Sequence, residues 1–300
     1  MKVGIFTHQN MNPAFGILHQ GHVLHGDALE AIAREIGVSE WLISLEAFLA
    51  GGIESLEAGR RAFHAGRARA LPVDQMTFEA PFVAGRTIFA QIVNYAKHAE
   101  EASLQAPSRV FVFLKPNSSV VGPYAAIGGI DYTAELDFEG ELAAVIGRPG
   151  RDIRAENALD HIGGYTVLND VSARDLQFNR GAEDLTGRYG QNWTQGKGLD
   201  GFCPMGPVIT TADEIPNPYP LMIETRVNGE LRQRATTEDQ LIRLPEVIAS
   251  LSRGLTLRTG DVIATGTPEG CGIGDGRYLK RGDTVECSVD GLGSIRNVVA

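Results

Sequence analysis

The 300-residue chain holds only three cysteines, Cys203, Cys271 and Cys287, and none forms a C-x-x-C pair. An odd, scattered set argues against a disulfide framework and fits a reducing compartment, with thiols that have no structural job. No run approaches the roughly 20 apolar residues of a membrane span. The opening MKVGIFTHQNMNPAFG has a single lysine and no apolar stretch of signal-peptide length, so a soluble cytoplasmic protein is expected. Positive charge is also in short supply: 27 Lys+Arg against 37 Asp+Glu leave a net charge of −10. Such a surface repels phosphate backbones and anionic lipids, which speaks against nucleic-acid and membrane partners. The P-loop pattern, a dinucleotide-binding glycine motif and the G-x-S-x-G nucleophile elbow are all missing.

What is present is the composition of an ordinary globular protein, 43% hydrophobic and 21% charged, long enough to fold without staples. KVGIF and FGILHQGHVLHG alternate around Gln20-Gly21 as a hairpin would, and the text from Asp27 to about Gly66 turns helical, with glycines where helices end. Pro72 and the polar stretch after it suggest a boundary near residue 74. Beyond it, glycine- and proline-punctuated strands dominate, with helices expected only near residues 94 and 241. The expected organisation is α+β: a small α+β N-terminal domain over 1–74 and a mainly β domain over 75–300.

Three segments carry chemistry. In Glu135-Leu-Asp137-Phe-Glu139-Gly-Glu141, side chains two apart on a strand share a face, so four acids are expected to point one way. A solvated outer face is the ordinary explanation. The buried-looking run LAAVIG that follows makes it less fitting, and a hard cation held by carboxylate oxygens would relieve the repulsion. GGYTVLNDVSARDLQ places Asp170 near a strand end, with Ser172 set to cap a turn carrying Arg174 and Gln177. A structural ion pair competes there with a third carboxylate ligand and a guanidinium clamp. In NYAKHAEE, His98 and Glu101 are three apart on a helix and can form an oriented base, although Lys97 and Glu101 could equally make a surface salt bridge. The spacing of His19, His22 and His25 suggests metal, but the hairpin would splay them. Lys197 lies in a glycine-rich stretch where a cation usually faces solvent, and Thr267 in a turn its hydroxyl could merely cap.

Taken together, NYAKHAEE, FLKP, ELDFEGELAAVIG, HIGGYTVLNDVSARDLQ, WTQGKGLDGFCPMGP, LRTGDVIATGTPEGCG and YLKRGDTVECSVDGLGSIRN closely resemble the fumarylacetoacetate hydrolase family, from about Ile92 to the C-terminus. The resemblance implies a mixed β-sandwich or β-roll catalytic domain and a homodimer. It assigns Glu139, Glu141 and Asp170 to Mg²⁺ or Mn²⁺. His98, Glu101 and Lys197 become the catalytic candidates, and Arg174, Gln177 and Thr267 the substrate-binding ones. One departure stands out: Ile92-Val93-Asn94-Tyr95 replaces the family's G-R-N-Y, which bears on how the chain enters the lid. The implied substrate is a small anionic 2-oxo acid. Hydrolysis of a 2,4-dioxo acid to pyruvate and a carboxylic acid is the leading expectation, with His98 activating water. Decarboxylation or isomerisation of a 2-oxo diacid (oxaloacetate or 2-hydroxyhepta-2,4-diene-1,7-dioate type) at the same centre is the alternative, and a non-catalytic binding protein a remote one.

Overall fold

The computed structural model describes all 300 residues. Its main sheet follows one path through ten strands: Leu71–Pro72, His22–His25, Ala14–His19, Lys2–His8, Cys203–Thr211, Ile162–Asn169, Gly140–Ile146, Val262–Ala264, Ile88–Gln91 and Val112–Lys115. Two further strands join off this path, Met76–Glu79 on Lys2–His8 and Val120–Val121 on Cys203–Thr211. A four-stranded sheet, Glu230–Thr236, Met222–Val227, Thr284–Val289 and Gly293–Val298, covers one face of the central strands.

The run LAAVIG reads as continuous apolar sequence because the strand Gly140–Ile146 is buried on both sides. Leu142, Ala144 and Ile146 pack with Ile223, Val285 and Ile295 of the smaller sheet. Ala143 and Val145 turn the other way, to a core shared with Leu29, Ile32, Phe48 and Ala62 from the helices of residues 26–65. Alternation by two thus feeds two cores from one strand. The path passes residue 74 unbroken: Lys2 and Val3 pair with Thr210 and Ile209, and Val3 and Ile17 share a core with Ala143 and Ile209.

The Gln20-Gly21 hairpin is present, with His19 opposite His22 and both tip residues at positive φ, as a two-residue turn requires. His19 and His22 are exposed while His25 is buried, so the three do not converge. Helices form at Ala96–Glu101 and Leu244–Leu251 as expected, but short ones also occur at Arg174–Gln177, Glu183–Tyr189, Trp193–Lys197 and Gly272–Asp275. Each is too short for a 3.6-residue periodicity to show in the text.

Candidate active site

Antiparallel pairing sets the acidic centre. Gly140 pairs with Asn169, so Asp170 falls beside Glu139, and its N–H donates to the Glu139 carbonyl at 2.9 Å. Donor atoms of Glu139, Glu141 and Asp170 lie within 4.8 Å of one another, and all three residues are buried. The neighbouring strand Val262–Ala264 closes the site: Gly266 N–H donates to Glu141 at 2.7 Å, and Thr267 Oγ1 donates to the Gly140 carbonyl at 3.0 Å.

The four acids do not form one row. The strand stops at Asp137 and resumes at Gly140, so the alternation expected over Glu135–Glu141 is broken. Glu135 is half-buried and pairs with Arg180 at 3.4 Å. Asp137 is fully buried and serves Arg174 Nε at 2.9 Å and the Gly272 and Ile273 N–H groups at 2.6 and 3.0 Å. It belongs to the scaffold that holds Arg174.

Arg174 spreads its guanidinium over three acceptors: Asp137, Glu139 and, through Nη1 at 3.1 Å, Gln177 Oε1. Gln177 in turn donates to Gln191 at 2.6 Å. Ser172 does not cap this helix; Ala173 stands at the N-cap, and the Ser172 hydroxyl donates to the Asp170 carbonyl at 3.0 Å. Lys197 is not in a solvent-facing loop. It ends the helix Trp193–Lys197 with its ammonium 2.6 Å from Glu139 Oε2 and 2.9 Å from Asp170 Oδ2. The glycine before it marks a tight contact and not a flexible loop: a Cβ on Gly196 would collide with Gln177, so glycine here serves close packing.

Lys115 was not singled out in the sequence and is central. Its fully buried ammonium donates to Asp170 Oδ1 and to the Lys197 carbonyl, both at 2.5 Å. Its signal in the sequence is a lysine closing the apolar strand VFLK before Pro116, within the FLKP landmark of the resemblance. Around the acidic centre the buried formal charges are then four carboxylates (Asp137, Glu139, Glu141, Asp170) against three cations (Lys115, Arg174, Lys197). Burial works against the charge on Glu139, but Lys197 and then Arg174 outweigh it and hold its carboxyl well below the usual range. Glu141 forms no ion pair. Burial, then Asp170 and Glu139, push it well above that range. Two negative carboxylates sharing a cation beside a third with none is a donor set that fits a hard divalent ion. Glu139, Glu141 and Asp170 are the residues that would hold it.

The lid begins at Asn94, whose amide donates to the Ile242 and Thr265 carbonyls at 2.9 and 2.8 Å and anchors it to the Thr265–Thr267 turn. Ile92, which stands where the family has glycine, is not at positive φ; Val93, in the arginine's place, has φ 47°, a left-handed conformation unusual for a β-branched residue. His98 Nδ1 lies 2.9 Å from Glu101 Oε1, and Glu101 Oε2 accepts the Gly270 N–H at 2.8 Å. Lys97 pairs with Glu269 at 3.4 Å, so the Lys97–Glu101 alternative does not form. His98, Glu139, Asp170, Arg174, Gln177, Lys197 and Thr267 line one cavity, walled on its apolar side by Ile273 and by Phe113 stacked on Trp193. Glu101 stands behind His98, and Glu141 beside Gly266, outside that lining.

Known proteins share both the sequence and this architecture. The family model described as fumarylacetoacetate (FAA) hydrolase, C-terminal, matches residues 87–300. A mitochondrial oxaloacetate tautomerase, Fahd2a of Rattus norvegicus, is 39% identical over 254 residues, 84% of this chain and 78% of that protein. The structure of a fumarylacetoacetate hydrolase from Exiguobacterium antarcticum is 37% identical and superposes with a TM-score of 0.78 over 100% of this chain and 99% of that one. Maleylpyruvate hydrolase from Sphingobium, solved with manganese(II) and pyruvate, is 29% identical with a TM-score of 0.75, covering 100% and 99% of the two chains. With a family match across both the acidic centre and the lid, and an architecture shared end to end, the chain belongs to the fumarylacetoacetate hydrolase family.

Proposed function

We propose that the protein is a divalent-metal-dependent isomerase of a 2-oxo diacid, and that its reaction is keto–enol tautomerisation of an oxaloacetate-like substrate. This displaces C–C hydrolysis as the leading reading. The observation that carries it is the 39% identity to an oxaloacetate tautomerase over 84% of the chain. The imidazole–carboxylate base beside the acidic centre can serve as the one proton shuttle that tautomerisation needs.

Glu101 fixes the imidazole through Nδ1, which leaves Nε2 for the cavity; that atom takes the C3 proton and returns it. The Gly270 N–H holds the second oxygen of Glu101, so the dyad is seated before substrate arrives. Mg²⁺ or Mn²⁺ on Glu139, Glu141 and Asp170 would supply Lewis-acid stabilisation of the charge that develops at the C2 oxygen. Lys197 and Arg174 keep Glu139 ionised and add positive potential for a dianion, which explains how a chain of net charge −10 accepts one. The main sheet path ends at Val112–Lys115, where Phe111 and Leu114 are more than half exposed. That apolar edge supports a homodimer as the working state.

The test is a product partition. With Mn²⁺ present, the enol absorbance of oxaloacetate should relax to equilibrium far faster than without protein, with little CO₂ or pyruvate formed. Faster conversion of 2,4-dioxo acids to pyruvate plus a carboxylic acid would restore hydrolysis and refute the tautomerase. His98→Gln should slow tautomerisation by about 10²- to 10⁴-fold while calorimetry still shows Mn²⁺ binding. An unchanged rate would remove His98 as the base.

A further inference from the structure

Apart from the all-oxygen centre, the structure brings together one other group of potential metal donors. His98, Glu101 and Cys271 present an imidazole nitrogen, a carboxylate oxygen and a thiol sulfur within 4.8 Å of one another. Nitrogen, oxygen and sulfur in one cluster is the chemistry of a borderline cation such as Zn²⁺, whereas Mg²⁺ and Mn²⁺ favour oxygen alone. We propose that His98, Glu101 and Cys271 form a second metal site, selective for Zn²⁺, whose occupancy staples the lid helix to the Pro268–Cys271 turn and silences the base.

The two halves of the site already grip each other. The lid supplies His98 and Glu101, and the turn supplies Cys271. Between them run the Gly270 N–H to Glu101 bond at 2.8 Å and the Lys97–Glu269 pair at 3.4 Å. Tetrahedral zinc, with bonds of about 2.0–2.3 Å, places its donors about 3.5 Å apart, so donors at most 4.8 Å apart must draw together by no more than about 1.3 Å. Cys271 and His98 are buried and Glu101 is half-buried, which shields the site from competing water. The cysteine thiol donates weakly to the Pro268 carbonyl at 3.7 Å and accepts from Gln233 at 3.2 Å, neither of which ties up its sulfur strongly.

Burial, then Asp137 and Glu139, push the Cys271 thiol well above its ordinary range, so it is an inert thiol until a metal displaces its proton to the buffer. His98 must give up its bond to Glu101, since both groups then face the ion. A base with its lone pair on zinc cannot take a proton from carbon. The silencing, though not the binding, rests on the tautomerase reading above.

The experiment uses the full chain saturated with Mg²⁺, so that the carboxylate centre is filled. Added Co²⁺ should produce a thiolate-to-metal charge-transfer band that Zn²⁺ abolishes, and calorimetry should show a single zinc bound with proton release. Cys271→Ser, and Cys271→Ala as a second variant, should lose the band and weaken Zn²⁺ binding by about 100-fold or more. Both should keep the Mg²⁺-dependent turnover of the unaltered protein, which alone should be inhibited in proportion to zinc bound. Absence of the band, or equal Zn²⁺ affinity in the Cys271 variants, overturns the site. Full zinc occupancy with undiminished turnover overturns the silencing. Absence of turnover before zinc is added counts against the tautomerase reading, while the band still supports the site.

Discussion

Glu141→Gln removes the one carboxylate of the acidic centre that has no ion pair, while its amide oxygen can still accept the Gly266 N–H. Like charges 4.8 Å apart repel by about 3.5 kcal/mol at an effective dielectric of about 20. Asp170 and Glu139 both repel Glu141, and Lys197 offsets roughly one of the two, which leaves a net penalty on the order of 3 kcal/mol. Because the folded-state pKa of Glu141 is raised, the stability tied to its proton is fully present below the usual carboxylate range. It is lost as pH rises through the folded value. The variant lacks that slope. In chelator, Glu141→Gln should therefore melt higher than the unaltered protein by up to about 5 °C, with the gap widening from mildly acidic to mildly alkaline pH. Saturating Mn²⁺ should reverse the order, since the unaltered protein gains a ligand-linked rise that the variant lacks. Thermal melts at two pH values, with and without metal, check all of this. A variant that melts lower than the unaltered protein in alkaline chelator would refute the charge argument.

Two further substitutions probe the scaffold. Lys115→Met strips a buried cation from Asp170 and from the Lys197 carbonyl, and should cost about 3–5 kcal/mol in urea melts in chelator. The loss should be smaller with Mn²⁺, which restores positive charge beside Asp170. Asp137→Asn keeps the shape but removes one of the two carboxylates paired with Arg174, and should cost about 3 kcal/mol in the same melts and lower the initial rate as the Arg174–Glu139 contact loosens.

Much of the site was legible because its signals are local. Glu139 and Glu141 are two apart, His98 and Glu101 three apart on one helix, and Asp170 closes an apolar strand whose partner is the acid-bearing one. What escaped notice depends on distant pairings. Asp137 reads as part of the acidic row until the strand is seen to break at Phe138, and its true partner lies 37 residues away. Lys115 meets Asp170 across 55 residues, and no spacing in either segment signals it. Lys197 enters the candidate site through the family resemblance alone; its own segment reads as solvent-facing, because glycine marks both flexible loops and tight contacts and only the neighbouring Gln177 tells them apart. Chemistry was the least legible layer: hydrolysis, decarboxylation and isomerisation ask for nearly the same side chains.

The unbroken passage of the main sheet across residue 74 has a consequence for engineering. Lys2–His8 lies between Ala14–His19 and Cys203–Thr211, and the first helices complete the core beneath Ala143 and Val145. Deleting residues 1–74 would leave the first residues of the chain's catalytic portion without the strand that Met76–Glu79 pairs with. It would also turn Thr210 and its neighbours into a raw sheet edge, ready to pair with other molecules. Chimeras that exchange this segment between relatives must therefore match the register of Lys2 and Val3, because the join is a row of backbone hydrogen bonds and not a flexible linker.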